Sequence, residues 1–257
     1  MTTRTTKHSA GEPAWFDLAT PDLAVAKAFY HQLFGWEYVQ VGSDEMPYQY
    51  AQSQERNAAG IAPIRPPDSP QPSAWTVFFA SDDAAADAAR VQALGGQVIA
   101  RPMTIGESGI MAVCADPTGP TFGLWQTINH IGFGVENEHG AAAWCEVNTW
   151  DATAARAFYG QLLNATPQTM EGADYYFVMQ RGEAMLCGVL QMDHQWEGIP
   201  PHWMVYFGVD NTDAAIERAV AAGGKVQVPA FEMAYGRMAV LSDPAGAKFS
   251  IVQPPAA

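Results

Sequence analysis

The amino-acid sequence predicts an α+β protein built from four βαβββ units paired into two tandem halves. Three observations carry this prediction. The stretch Ala14-Trp15-Phe16-Asp17-Leu18-Ala19-Thr20-Pro21-Asp22, continuing to Ala28-Phe29-Tyr30-His31-Gln32-Leu33-Phe34, recurs 129 residues later as Ala143-Trp144-Cys145-Glu146-Val147-Asn148-Thr149-Trp150-Asp151, continuing to Ala157-Phe158-Tyr159-Gly160-Gln161-Leu162-Leu163. Each half then divides again, because a shift of 60 places Trp15 over Trp75, Asp22 over Asp82 and Gly35 over Gly95. Each repeat also carries a short apolar run directly before a helical pattern, so one supersecondary unit is being repeated.

The elements of a unit follow from its residues. Runs such as Thr76-Val77-Phe78-Phe79 are long enough for a strand and too short for a buried helix. Asp22, Asp82, Asp151 and Asp210 then stand where a side-chain oxygen caps the free N–H groups of a helix's first turn. Thirteen residues further on come Gly35, Gly95, Asn164 and Gly223, residue types that accept the left-handed conformation closing a helix of about three turns. Ala26, Phe29, Tyr30, Leu33 and Phe34 form one apolar stripe, as do Ala155, Phe158, Tyr159, Leu162 and Leu163. The second and fourth helices are richer in alanine. After each helix lie β-type runs, in the first half Trp36 to Val41, Tyr48 to Gln52, Gly60 to Ile64, Gln97 to Ala100, Ile110 to Ala115 and Thr121 to Thr127.

Pro-rich stretches, Pro63 to Pro72 and Ile199 to Pro201, separate the units within each half. The expected domains are therefore 13–126 (units 13–66 and 72–126) and 141–253 (units 141–192 and 200–253). Residues 127–140 form a linker whose His130, Glu136, Glu138 and His139 read as a solvated loop rather than a metal site.

Composition removes several function classes. With 13 Lys+Arg against 27 Asp+Glu the net charge is −14, and there is no basic cluster to hold nucleic acid or an anionic membrane. No apolar run is long enough to span a bilayer, and the polar residues Met1 to Pro13 do not form a signal peptide. Cys114, Cys145 and Cys187 are widely spaced, which argues against a disulfide framework or zinc site and for a reducing, cytoplasmic location. Walker, GxGxxG, GxSxG and HExxH motifs are absent from the sequence.

The fourfold βαβββ pattern, the D-x-x-x-A-x-x-F-Y helix before a Leu-Phe-Gly ending, and Asp116-Pro117-Thr118-Gly119 repeated as Asp243-Pro244-Ala245-Gly246 resemble the vicinal oxygen chelate (VOC) superfamily of glyoxalase I, extradiol dioxygenases and bleomycin-resistance proteins. Over residues 13 to 253 the chain is most similar to its tandem glyoxalase-like members. The resemblance implies mixed sheets curled into cups, with a divalent metal held by His or Glu from four strands. At the matching positions this sequence has Trp15, Trp75 or Thr76, and Gly123 in the first half, and Trp144, Trp203 or Met204, and Ser250 in the second. The remaining ligand strands, Gly60 to Ile64 and Gly188 to Met192, contain no acid or histidine. A divalent site needs several converging donors, so no metal and no other cofactor is expected, and neither glyoxalase I nor extradiol dioxygenase activity. His202 reads as a polar strand-edge residue.

If the first strands keep the family's orientation, alternation puts Trp15 and Asp17 on one face, and Trp144, Glu146 and Asn148 on its counterpart. Asp17 and Glu146 become candidate general acids or bases, since an inward carboxyl is desolvated and raised in pKa. The alternative is that both point outward or pair with Arg. Ligand-binding candidates are Trp15, Trp75, Thr76, Phe78, Trp125, Trp144, Met204, Tyr206, Ser250 and Tyr235, the last on one of two Gly-containing rim loops, 103–111 and 231–238; the four repeated tryptophans equally suit core packing. Three functions follow: a metal-independent protein that binds or sequesters a small aromatic or apolar molecule, a metal-free isomerase, lyase or hydroxylase-assisting enzyme, or an acidic interaction scaffold. The expected assembly is a monomer with internally paired halves or a homodimer.

Overall fold

The computed structural model describes residues 3–43, 45, 47–65 and 71–255; part of the Pro63 to Pro72 separator thus lies outside the described residues. The first half runs β1 (Pro13–Thr20), α1 (Leu23–Phe34), β2 (Glu37–Gln40), β3 (Gln49–Ser53), β4 (Arg56–Pro63), β5 (Ala74–Ala80), α2 (Ala84–Ala93), β6 (Gln97–Ile105), β7 (Gly109–Ala115) and β8 (Thr121–Thr127). The second runs β9 (Ala142–Thr149), α3 (Ala152–Leu162), β10 (Thr166–Met170), β11 (Ala173–Arg181), β12 (Ala184–Gln191), β13 (His202–Gly208), α4 (Thr212–Ala221), β14 (Lys225–Met233), β15 (Gly236–Ser242) and β16 (Lys248–Gln253). Among the described residues no helix is long and apolar enough to cross a membrane.

Each half is one eight-stranded sheet, in the orders β2-β3-β4-β1-β5-β8-β7-β6 and β10-β11-β12-β9-β13-β16-β15-β14. The first strands of paired units meet antiparallel at the centre, and each is flanked by the last strand of its own unit, running parallel. The mixed sheets are not closed into barrels.

The helices end as the sequence predicts, with Gly35, Gly95, Asn164 and Gly223 all at positive φ. Their starts require a correction in two units. Asp22 and Asp151 cap α1 and α3, but α2 is capped by Asp83, which accepts from Ala85 and Ala86 N–H, and α4 by Asn211. The chain takes one extra residue between strand and helix in these units, leaving Asp82 to pair with Lys7 at the surface.

The two sheets join back to back through an aromatic core. Phe29, Tyr30, Phe34, Trp36 and Trp75 from the first half interlock with Phe207 and Phe249 from the second, while Phe79 and Phe122 meet Phe158, Tyr159 and Trp203. Two equivalent hydrogen-bonded joints tie the halves together. Tyr159 of α3 donates to Asp116 Oδ2 at 2.7 Å and accepts from Trp203 Nε1 at 3.1 Å; Tyr30 of α1 donates to Asp243 Oδ2 at 3.3 Å and accepts from Trp75 Nε1 at 3.1 Å. The tyrosine of the Phe-Tyr helix motif and the aspartate of the Asp-Pro motif are thus two sides of one joint, each contributed by a different half.

The linker also needs correcting. It is packed rather than a solvated loop, with Phe133 and Val135 buried. Phe133 N–H donates to Ala14 O, and the N–H groups of Ile128, Asn129 and His130 all reach Ser108 O. Glu136 and Glu138 pair with Arg4 and Arg56.

Candidate functional site

Strand register decides which side chains face away from the inter-sheet core. Across β1 and β5, Trp15 pairs with Phe78, Asp17 with Thr76 and Leu18 with Trp75. Trp15, Asp17, Thr76 and Phe78 therefore share the outer face, which the family resemblance makes the face of the cup, and Phe16, Leu18, Trp75 and Val77 share the core face. In the second half Trp144 pairs with Tyr206, Glu146 with Met204 and Asn148 with His202, while Trp203 pairs with Val147. Trp75 is thus removed from the ligand-facing set: it is 6% exposed and bonded to Tyr30 in the core. The physical reason is the extra residue before α2, since counting back from Asp83 rather than Asp82 moves the equivalent of Trp15 to Thr76, and a one-residue offset inverts a strand's faces.

In the second cup Glu146 lies on the floor, 5% exposed. Tyr176 OH donates to its Oε2 and Tyr206 OH to its Oε1, both at 2.8 Å, and Trp144 Nε1 donates to Tyr176 OH at 2.8 Å. Burial raises the Glu146 carboxyl above its ordinary value, and the two tyrosine hydroxyls pull it back. Ser250 is buried across from Tyr206, and Asn148 Nδ2 lies 3.2 Å from His202 Nε2.

The first cup repeats half of this arrangement. Trp15 Nε1 donates to Tyr48 OH at 2.8 Å. Burial lifts Asp17 from 3.8 to about 7, with a hydrogen bond from Tyr48 acting in the opposite direction. Asp17 Oδ1 is buried with no hydrogen-bond partner. Around it the His130 ring stacks on Tyr50 at 4.6 Å and meets Trp15 edge-on at 4.5 Å, and Trp125 Nε1 donates to His130 O at 2.8 Å. Burial lowers His130 to about 4, so it is neutral near pH 7.

The register brings Trp15, Asp17, Thr76, Phe78 and Trp125 to one cup, and Trp144, Glu146, Met204, Tyr206 and Ser250 to the other. Tyr235 is exposed in the turn between β14 and β15. The loops 103–111 and 231–238 are hairpins, and Arg237 on the second is engaged by Asp213 and Glu232. Two clefts, of about 200 and 350 Å³, lie near Arg90 and Arg181 and near Arg4 and His8; neither is lined by Asp17 or Glu146.

Sequence reasoning missed Tyr48, Tyr176 and the glycines beneath them. A Cβ on Gly60 would lie 1.9 Å from Tyr48 OH and 2.5 Å from Asp17 Oδ1, and one on Gly188 would lie 2.1 Å from Tyr176 OH. The signal was present as a Tyr followed twelve residues later by the Gly of a ligand strand in each half: Tyr48 with Gly60, Tyr176 with Gly188.

The model of the Glyoxalase/Bleomycin resistance protein/Dioxygenase superfamily matches residues 12–124 and again 128–251. A Mycobacterium tuberculosis protein named "Putative glyoxylase CFP32" is 40% identical over 260 residues, covering 96% of this chain and 97% of its own. The "Anthracycline biosynthesis protein DnrV" of Streptomyces peucetius is 36% identical over 263 residues, covering 96% and 95%. Among solved structures, the Mn(II)-bound glyoxalase from Novosphingobium aromaticivorans superposes with a TM-score of 0.68 at 16% identity, over 95% of this chain and 82% of that one. The 2,3-dioxygenase LapB from Pseudomonas sp. KL28 gives 0.66 at 14%, over 98% and 94%; both likenesses concern the fold.

The residues of this chain do not fit the metal that such a fold holds elsewhere. At the four central strands the cup-facing positions are Trp15, Gly60, Thr76 and Gly123, then Trp144, Gly188, Met204 and Ser250. The space above three of the glycines is already taken, by Tyr48 OH, by the Phe78 ring and by Tyr176 OH. Among the described residues no three His, Cys, Asp or Glu side chains are grouped to hold an ion. With the double match, the relatives similar over their whole length and the paired βαβββ sheets, the chain belongs to the glyoxalase/bleomycin resistance protein/dioxygenase superfamily.

Proposed function

We propose that this protein binds a small, aromatic or apolar organic molecule in a cup, without a metal. The observation that carries the reading is one carboxyl on each outer face, Glu146 buried and Asp17 with its Oδ1 buried, each bordered by a Trp–Tyr pair, where the superfamily's metal donors would otherwise converge. Aromatic walls bind flat ligands by stacking and burial, and a few fixed polar atoms orient them. A relative named for anthracycline biosynthesis supports a fused-ring aromatic ligand.

Titration of tryptophan fluorescence with aromatic phenols and quinones tests this, because Trp15, Trp125 and Trp144 border the cups. Saturable quenching that is unchanged by EDTA is expected; its absence, or quenching that appears only on addition of Mn(II) or Zn(II), overturns the reading.

A second reading is a metal-free enzyme of the isomerase, lyase or hydroxylase-assisting kind. It is favoured by the raised carboxyls, since a general acid or base works best with a pKa near the working pH. An Asp17→Asn, Glu146→Gln double variant that keeps full turnover eliminates it.

A further inference from the structure

Among the positions at which the two cups differ, one bears directly on the carboxyl. Tyr206 pairs with Trp144 across the central strands of the second sheet, and Phe78 pairs with Trp15 at the same place in the first. Tyr206 supplies the second phenol to Glu146, so both oxygens of that carboxylate are already engaged by the protein. Phe78 has no hydroxyl, and Asp17 Oδ1 is left buried and unpartnered. A buried oxygen without a partner costs free energy in the free protein, and a ligand that supplies the missing hydrogen bond recovers it.

The surroundings narrow what that ligand is. The groups facing Asp17 are Gly60 on β4, Thr76 on β5, Tyr48 just before β3 and Tyr50 on it. His130 closes the aromatic wall as a neutral ring. The facing set contains no Lys or Arg, so an anionic ligand would meet a carboxyl with no counter-charge. A hydroxyl on an uncharged ring donates to Asp17 when it is ionised and accepts from it when it is protonated.

We propose that the N-terminal cup is the working one, and that Asp17 Oδ1 hydrogen-bonds the hydroxyl of an uncharged hydroxy-aromatic ring seated against Trp15, Tyr50 and Phe78, while in the C-terminal cup Tyr206 already holds the corresponding oxygen of Glu146. This rests on the small-molecule reading above and adds to it the half, the contact atom and the ligand class.

Calorimetric titration of the full chain tests it, with 1-naphthol, naphthalene and 1-naphthoate as probes. One equivalent of 1-naphthol per chain is expected, bound at least tenfold more tightly than the other two, as one buried hydrogen bond provides. Asp17→Asn and Phe78→Tyr each lower the 1-naphthol affinity tenfold or more, the second by supplying from within the phenol that the ligand would supply. Tyr206→Phe frees Glu146 Oε1 and adds a second equivalent. Circular dichroism establishes that each variant is folded, and the three substitutions fall on different strands, so a folding failure in one leaves the others decisive. Naphthol binding that persists in both Asp17→Asn and Phe78→Tyr and is lost in Glu146→Gln overturns the choice of cup and leaves the small-molecule reading standing. Naphthoate binding as tightly as naphthol overturns the ligand class. Binding of none of the probes to the unsubstituted chain overturns this proposal, and fluorescence silence across the wider panel overturns the reading beneath it.

Discussion

Replacing Asp17 with Asn should stabilise the protein, and more so as the pH rises. The Asp17 carboxyl holds its proton up to about pH 7 in the folded chain and only to 3.8 when unperturbed. A group raised in this way favours folding fully below the lower value and loses that contribution as pH rises through the upper one. The shift of about 3 units, at about 1.4 kcal/mol each, makes the ionised Asp17 of the native state a burden of about 4 kcal/mol at pH 8.5. About 1 kcal/mol of it is already present at pH 4.5, so the variant's advantage should grow by about 3 kcal/mol between these pH values. His8 and His130, both lowered to about 4 by burial, titrate in this range in parent and variant alike, so they cancel in the difference. Urea denaturation at the two pH values measures the quantity directly, and the difference in Tm should widen by about 6–12 °C for a chain of this size. An advantage that is flat with pH, or a loss at pH 8.5, refutes the assignment of Asp17 as a desolvated carboxyl without a counter-charge.

Three further outcomes follow from contacts elsewhere. Tyr159→Phe removes the 2.7 Å bond to Asp116 and the acceptor of Trp203 Nε1, and should cost about 3 kcal/mol by urea denaturation, whereas Tyr30→Phe, whose bond to Asp243 is 3.3 Å, should cost about half as much. Gly60→Ala sets a methyl group 1.9 Å from Tyr48 OH, so the hydroxyl must move away from Asp17; a loss of about 2 kcal/mol is expected, with the Asp17 titration displaced by NMR. Asp83→Ala should cost about 1 kcal/mol as a lost helix cap, and Asp82→Ala no more than about 0.5 kcal/mol as a lost surface pair; equal losses in thermal melts would put the cap back on Asp82.

Much of the fold was legible in the sequence because the repeat multiplies weak local signals. One Asp-to-Gly spacing of thirteen residues means little, but three of them and an Asp-to-Asn, each with a Trp at a constant offset, define a unit. The same logic misplaced two caps and left the Trp75 face open, because aligning Asp22 with Asp82 by identity hides one inserted residue. Alternation along β1 and β9 grouped Asp17 with Trp15 and Glu146 with Trp144 on one face of each strand, a local property, and left open which way that face turns. Tyr48 and Tyr176 escaped because they reach the carboxyls across β4 and β12, through sheet order that no local pattern records. The linker read as solvated from its charges, whereas Phe133 and Val135 bury it and its acids find arginines far away in sequence.

The joints between the halves account for which parts of the repeat stay alike and which diverge. Tyr159 answers Asp116, and Tyr30 answers Asp243, so each half must carry both the helix tyrosine and the Asp-Pro turn for the sheets to lock back to back. That packing leaves the faces that carry Asp17 and Glu146 turned away from the shared core. Phe78 and Tyr206 sit on those outward faces and are free to differ, and they do. A phenol at this position engages the second carboxyl oxygen of Glu146; a phenyl ring leaves Asp17 Oδ1 buried and unpartnered. The repeat thus keeps its joints and differs between the halves in how the carboxyl of each outward face is held, by one phenol at Asp17 and by two at Glu146.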